Sequence, residues 1–517
     1  MMPPVPVSPT MSALSRIRLQ APVILLRAPV IFLRVPVILL RAPVILLRVL
    51  VIMLLLWPAG PDGTAGAQNR VRILQSDQLE GVVGPEGRIR KLTGNVALST
   101  DDFTILCDSA WHFMDLEELR AWGNIEITSE RDQIWSDRAT YDLVSEVALF
   151  EGRVVMQSEK ALLFSDEVFY SFATEIALFP ERLRFEDERG VLVADSGYYY
   201  NALDSAVFRG NVQVADSLQY IEADSMFTRR GDEYYELHGR VFLDDQENRT
   251  RLTGGFVLSD GTGYRRVEGG SRMRRISEDL SDTTFLWADW LEMQQKDTIN
   301  TFTAYEQVHI WTERYSSLSD TAHYDDAIEQ FILEGNPRLW YEEMQLTGPY
   351  ILIQLEEDSV RYLDSYPGSF AVQRDTTIDR LNQITGDTLF IQFEDGSVSY
   401  MQVWPRGNVL YFVKESDGQA DGAIEMTADF IKLVFEEGEL EDVIARRNVD
   451  GIFHQEHEGI SEKRISGFVW EPGLRPERPE EPIEPRLPPV PDARPFEMPD
   501  RFTGGNGIAD RIPSRPD

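Results

Sequence analysis

The chain has 517 residues, 43% of them hydrophobic and 10% aromatic, and a formal net charge of −36. That is enough apolar material for a large core or several domains. The charge argues against a phosphate-neutralising nucleic-acid surface and against broad docking on an anionic membrane. With one cysteine, Cys107, no internal disulfide can form.

Residues 1–67 read as a signal peptide preceded by low-complexity heptads. Pro22-Val-Ile-Leu-Leu-Arg27 returns at Pro29, Pro36 and Pro43. A proline and an arginine in every seven residues make a poor spanning helix. The run leads to the apolar stretch Val49–Trp57 and then to Ala65-Gly66-Ala67, a small-x-small site before Gln68. Basic flank, short apolar core and small-residue site fit export with cleavage. An uncleaved anchor is the alternative, although nine apolar residues are too few to span.

Residues 68–255 form regular repeats. Gly94-Asn95-Val96, Gly123-Asn124-Ile125, Gly152-Arg153-Val154, Gly210-Asn211-Val212 and Gly239-Arg240-Val241 stand on a grid of 29 residues, and Glu181-Arg182-Leu183 occupies it without the glycine. Fourteen residues after five of these starts comes an aspartate: Asp108, Asp137, Asp166, Asp195 and Asp224. A fixed period of this length means stacked units. Within each unit apolar residues alternate, as in Val96 and Leu98, Ile125 and Ile127, Val154 and Met156, Leu183 and Phe185, Val212 and Val214. A second alternating pair closes the unit, as in Ala148 and Phe150 or Ala206 and Phe208. Period two means strands with one buried face. The unit reads as three short strands, with the Gly-Asn or Gly-Arg pair at a turn or bulge needing positive φ. The aspartate reads as a cap on turn N–H groups or as a solvated acid. A catalytic acid need occur only once, so its recurrence argues against catalysis.

Residues 256–380 keep the period irregularly. Glu306 and Gly335 remain 29 apart, and Arg265, Arg266, Arg272, Arg274 and Arg275 form a basic patch that reads as a solvated edge strand. Residues 381–470 change register and read as a second stack or a capping segment, with a hairpin signal at Asp395-Gly396. Residues 471–517 are crowded with proline and charge and read as a disordered tail. No nucleophile elbow, phosphate loop or dinucleotide fingerprint stands out. His454 and His457 lack a supporting second cluster, so no metal or cofactor is expected.

The repeated Gly-Asn-Val, small-Asp and aromatic pattern resembles the OstA/LptA family, which includes periplasmic lipopolysaccharide-transport proteins and the N-terminal domain of LptD. The matching segments include Leu92-Thr-Gly-Asn-Val-Ala-Leu, Ala223-Asp224 and Ile384-Thr-Gly-Asp-Thr-Leu-Phe-Ile-Gln-Phe. The resemblance implies an all-β, elongated antiparallel β-jellyroll or solenoid of stacked units of about 29 residues, with an apolar interior groove. It implies a non-enzymatic periplasmic lipid-binding and transport protein in lipopolysaccharide export, with outer-membrane association left open. The implied partners are lipopolysaccharide or another lipid and other transport jellyrolls stacked end to end. Candidate lipid-facing residues are Val96, Leu98, Ile125, Ile127, Val154, Met156, Leu183, Phe185, Val212 and Val214. The chain is several times longer than a minimal member and ends in a proline-rich tail where LptD continues into a barrel. A structural β-solenoid of the envelope, whose walls meet in a dry core, is the alternative; a carbohydrate-active β-helix would need parallel strands and one cluster of acids.

Overall fold

The structure is a computed structural model. It describes residues 71–490 except 159–160, 278–281, 297–298, 416–417, 437, 458, 481–482 and 489. The expected signal peptide lies outside the described residues, as does the tail beyond 490. The described residues belong to the second of two compact units, Gln68–Asp517.

Among the described residues all regular structure is antiparallel strand, apart from three short 3-10 turns. Each regular repeat makes two strands rather than three. Glu118–Thr128 carries the Gly-Asn pair and Asp132–Asp142 is its straight partner. The pair opposes Trp122 to Arg138 and Ile125 to Ser136, so the first strand spends three residues where the second spends two. This is a β-bulge in mid-strand, with Gly123 at φ 76 and Asn124 at φ 45. Two consecutive left-handed residues fit Gly-Asn because glycine has no Cβ and asparagine tolerates this region. The same paired geometry recurs at Gly94-Asn95, Gly152-Arg153, Gly210-Asn211 and Gly335-Asn336.

The bulges line up and divide every long strand into two halves. The halves after the bulge, with their partners, form wall 1, which includes Ile125 and Ile127. The halves before it form wall 2, which includes Leu119 and Ala121. Inward residues of both walls join one buried cluster running from Leu92 to Phe435. Where the glycine is lost, at Glu181-Arg182, no left-handed pair forms. The strand there breaks into Ile176–Phe179 and Leu183–Asp187, and its partner into Gly190–Ala194 and Ser196–Tyr200.

After the strand Tyr315–Asp325 the walls separate. Its first half pairs with Arg338–Tyr341 and its second with Gln330–Glu334. From there short strands alternate between walls, two per wall, to the edge strands Glu439–Arg446 and Asp450–Gln455. The expected hairpin at Asp395-Gly396 is a two-residue turn, with Glu394 opposite Ser397. The arginine-rich stretch is not an edge: Tyr264–Ile276 pairs on both sides, with Thr250–Ser259 and Thr283–Lys296.

The proline-rich segment is held against the protein as far as it is described. It forms a strap along the outer face of wall 1. Ile460 and Ile465 pack with Phe370, Val372, Leu410 and Phe412 in a second apolar cluster. Gln383 accepts from the Ile465 backbone N–H at 2.9 Å, and Gln345 donates to the Val469 carbonyl at 3.1 Å. Arg478 lies over the Trp311 ring, Arg251 donates to the Ile483 carbonyl, and Gln213 donates to the Pro488 carbonyl at 2.7 Å.

Candidate functional site: the interior between the walls

All ten candidate residues point inward from wall 1. Val96, Leu98, Ile125, Ile127, Val154, Met156, Leu183, Phe185 and Val212 are buried, and Val214 is half-buried against the same cluster. They face wall 2, where Ala121, Ala148, Ala177 and Ala206 alternate with Phe150, Phe179 and Phe208, all buried. The period that sets the bulges thus also sets a row of small and a row of large side chains on one wall.

The interior is filled by its own side chains. Among the voids between the walls are one of about 10 Å³ beside Met344, Met401 and Leu433 and one of about 20 Å³ beside Met273, Phe302 and Phe331. Each has room for about one water. An alkyl chain therefore fits neither of these voids unless the walls part.

The walls are joined by strand continuity along the bulges. At their free margins they meet in a seam of side-chain contacts. Arg131 of wall 1 pairs with Glu175 of wall 2 at 3.2 Å, and Arg189 pairs with Glu233 at 3.4 Å. In both cases the partner is 44 residues on, so each wall 1 turn meets a wall 2 hairpin one and a half repeats later. Phe103 stacks on Phe172 and meets the edge of Tyr141. Deeper in the seam, Tyr170 donates to Asp132 Oδ2 at 2.5 Å, Asn201 Nδ2 donates to both Asp132 oxygens, and Ser158 donates to Asn201 Oδ1 at 2.7 Å. Burial pushes the Asp132 carboxyl above its ordinary range, and the Tyr170 and Asn201 donors only partly offset it.

The recurrent aspartate does not cap a turn. It lies opposite the next repeat's bulge, with its carboxylate over the glycine Cα. Asn95 donates to Asp77, Asn124 to Asp108 at 2.9 Å, Asn211 to Asp195 at 2.8 Å, and Arg153 makes a two-point pair with Asp137. Its role is to fix the fold line. Cys107 is buried in the slot that Ser136 and Ala223 fill elsewhere, and burial pushes its thiol up to about 12. His454 Nε2 pairs with Glu425 at 3.0 Å, a carboxylate also held by Lys463. Among the described residues no group of three or more His, Cys, Asp or Glu side chains is placed to hold a metal.

The reading of the sequence missed the seam and the strap anchors. Asp132 opens the strand Asp132–Asp142 and has no counterpart on the grid. Gln213, Glu222, Gln345 and Gln383 are polar residues among apolar ones on an outward face, and nothing local marks that face as covered.

An antiparallel sheet folded lengthwise on aligned bulges, closed over an apolar interior, defines a jellyroll-like repeat protein. Residues 68–224 match the family described as OstA-like protein. A crystal structure of LptH from Pseudomonas aeruginosa, described as the LptA-homologous periplasmic component of the conserved lipopolysaccharide transport device, aligns at 13% identity. The alignment covers 27% of this chain and 93% of that one, with a TM-score of 0.22. Comparison with curated proteins finds no match.

Proposed function

We propose that this protein carries the acyl chains of a lipid, lipopolysaccharide in the first instance, between its two walls, as a periplasmic bridge in export to the outer membrane. The observation that carries the reading is the way the interior is shut. Wall 1 and wall 2 present one apolar lining from Leu92 to Phe435, closed at the free margin by side chains such as Tyr170, Asp132, Asn201 and Ser158. Parting such a seam exposes the lining to a lipid while leaving the strand ladders intact. The match of residues 68–224 to the OstA-like family supports the same reading. Among the described residues the lining is apolar, and the role proposed is carriage.

The partners fit the two ends of the sheet. At one end Leu79 and Val83 are exposed on the strand Gln78–Gly84, and at the other Ile452 and Phe453 are exposed on Asp450–Gln455. Exposed strand edges of this kind take a further strand. Other transport jellyrolls stacked end to end are the proposed occupants.

The closed packing itself favours a second reading, a scaffold without cargo. One experiment separates them. Photo-crosslinking groups placed at Ile127, Met156 and Val214 in cells are expected to capture lipopolysaccharide. A Ser158→Cys/Asn201→Cys disulfide across the seam is expected to abolish that capture while leaving the fold intact. No capture at any inward position, with capture on the outer faces, sinks the transport reading and leaves the scaffold.

A further inference from the structure

Beyond the strand Tyr315–Asp325, wall 2 runs through Gln330–Glu334, Tyr350–Glu356, Ser359–Ser365, Thr388–Glu394 and Ser397–Trp404, which pair in that order. Alternation buries Ile351, Ile353, Leu363, Leu389, Ile391 and Met401 in the core. The residues between them face outward. Leu352, Asp364, Phe390 and Gln402 stand opposite one another in one row across four strands. Tyr350 and Tyr362 flank the row. The Tyr350 ring meets that of Tyr366 at 4.8 Å between centroids, and Tyr362 stacks on Phe390 at 5.2 Å. Tyr366 is 46% exposed and Trp404 36%. Asp364 is thus ringed by aromatic side chains on an outer face, and the described part of the strap lies on the other wall.

Asp364 Oδ1 is buried and has no hydrogen-bond partner among the described residues. Burial pushes its carboxyl above the ordinary range, and the Ser365 backbone N–H offsets this in part. Other carboxylates on the outer face of wall 2 are answered within the chain. Glu118 is paired with Arg120, Glu236 accepts from Tyr234, and Glu292 accepts from Tyr264 at 2.8 Å and Tyr305 at 3.4 Å. The cation further along Asp364's own row is Lys432, three strands away and about 14 Å off. Its ammonium lies over the Tyr400 ring at 3.8 Å. A buried acceptor left unanswered is destabilising, and a donor brought by a second molecule relieves it.

We propose that Asp364 and the rings around it dock an arginine side chain of a partner protein. The acceptor calls for an N–H group, which a quaternary ammonium lacks. The surrounding surface is built of flat rings. A guanidinium stacks on such rings while donating in its own plane, and it sheds water more readily than a lysine ammonium does. Tyrosine and tryptophan around a desolvated centre form the pattern of a binding hot spot, and arginine is the charged residue enriched at such centres. A chain with a net charge of −36 also draws basic partners. The site lies on neither the lining nor the two ends, so it stands or falls independently of the cargo.

The test titrates the full chain at low salt with the peptide acetyl-Gly-Leu-Arg-Leu-Gly-amide, followed by calorimetry. Companion peptides carry lysine, or the uncharged isostere citrulline, in place of arginine. The arginine peptide is expected to bind about tenfold more tightly than either. Asp364→Asn and Phe390→Leu are each expected to weaken it about tenfold. Glu292→Gln, which alters a carboxylate already answered on the same face, is expected to leave it unchanged. Asp364→Asn is also expected to unfold in urea at a midpoint no lower than that of the wild type, because it breaks no bond to another side chain. Absence of binding, equal binding of the citrulline peptide, undiminished binding by Asp364→Asn or a lowered midpoint overturns the inference. So does Asp364-dependent binding of phosphatidylethanolamine vesicles without binding of the arginine peptide, which would assign the site to a lipid amine.

Discussion

Asp195 closes over Gly210. A β-carbon added to Gly210 would stand 2.6 Å from Asp195 Oδ2, and the same oxygen accepts from Asn211 Nδ2 at 2.8 Å. The glycine is required twice, for its φ of 77 and for the room the carboxylate needs. Gly210→Ala is expected to cost about 2–4 kcal/mol, from left-handed strain and the collision together. Asp195→Ala alone is expected to cost about 1 kcal/mol, for the lost hydrogen bond. The double variant is expected to be more stable than the sum of the two predicts, because removing the carboxylate relieves the collision and leaves only the strain. Denaturant unfolding of the four proteins checks this, and strict additivity would show that the two residues do not share the fold line.

Much of this was legible beforehand. Gly94, Gly123, Gly152 and Gly210 announced positive φ, and Val96 to Val214 announced the inward face of a wall. Three strands per repeat were expected because the Gly-Asn pair suits a turn as well as a bulge; the structure takes the bulge, which uses the same φ values without turning the chain. The true reversals carry Glu117, Glu146, Glu175 and Glu233 at positive φ, and glutamate gives no turn signal. The seam was invisible for a different reason. Contacts such as Arg131 with Glu175 join residues 44 apart, a spacing fixed by how far the walls shear past each other and not by any local pattern.

Cys107 offers a built-in probe of the core. It is 6% exposed, and burial holds its thiol near 12. The thiolate is the reactive form. Ellman's reagent is therefore expected to leave it untouched at pH 8 in the native protein and to titrate one thiol per chain in denaturant. Rapid native labelling would show that the core around Ile105 and Ile127 opens readily.

The seam carries a pH signature. The Asp132 carboxyl is raised in the folded protein, chiefly by burial, while the unfolded chain gives it an ordinary carboxylate value of about 4. Between those two values the folded state binds the proton more tightly than the unfolded state does. Protonation there favours folding, and the contribution is lost as pH rises through the folded value. The stability advantage of the wild type over Asp132→Asn, which cannot titrate, is therefore expected to grow as pH falls from 7 toward 4. Urea midpoints of both proteins at several pH values test it; a gap that shrinks with falling pH contradicts the assignment.

Glu222 is the deepest anchor of the strap. Its side chain is fully buried on the outer face of wall 1 and accepts the backbone N–H groups of Arg486 at 3.0 Å and Leu487 at 2.9 Å, with Tyr220 donating at 2.9 Å. A buried carboxylate answered by two N–H groups and a hydroxyl is worth more than an exposed ion pair, because its loss leaves those donors unpaired. Glu222→Ala is expected to weaken the local hold by about 2 kcal/mol, which raises the released population ~30-fold. Arg486 reports it directly, since the bond to Leu487 is open to trypsin whereas Arg475 and Arg478 precede proline. Tryptic cleavage after Arg486 should accelerate by that factor. The interior, monitored through Cys107, should stay closed, because the anchor lies on the far side of wall 1 from the lining. Acceleration with simultaneous exposure of Cys107 would mean that strap and interior unfold as one unit, and that wall 1 has no stability of its own.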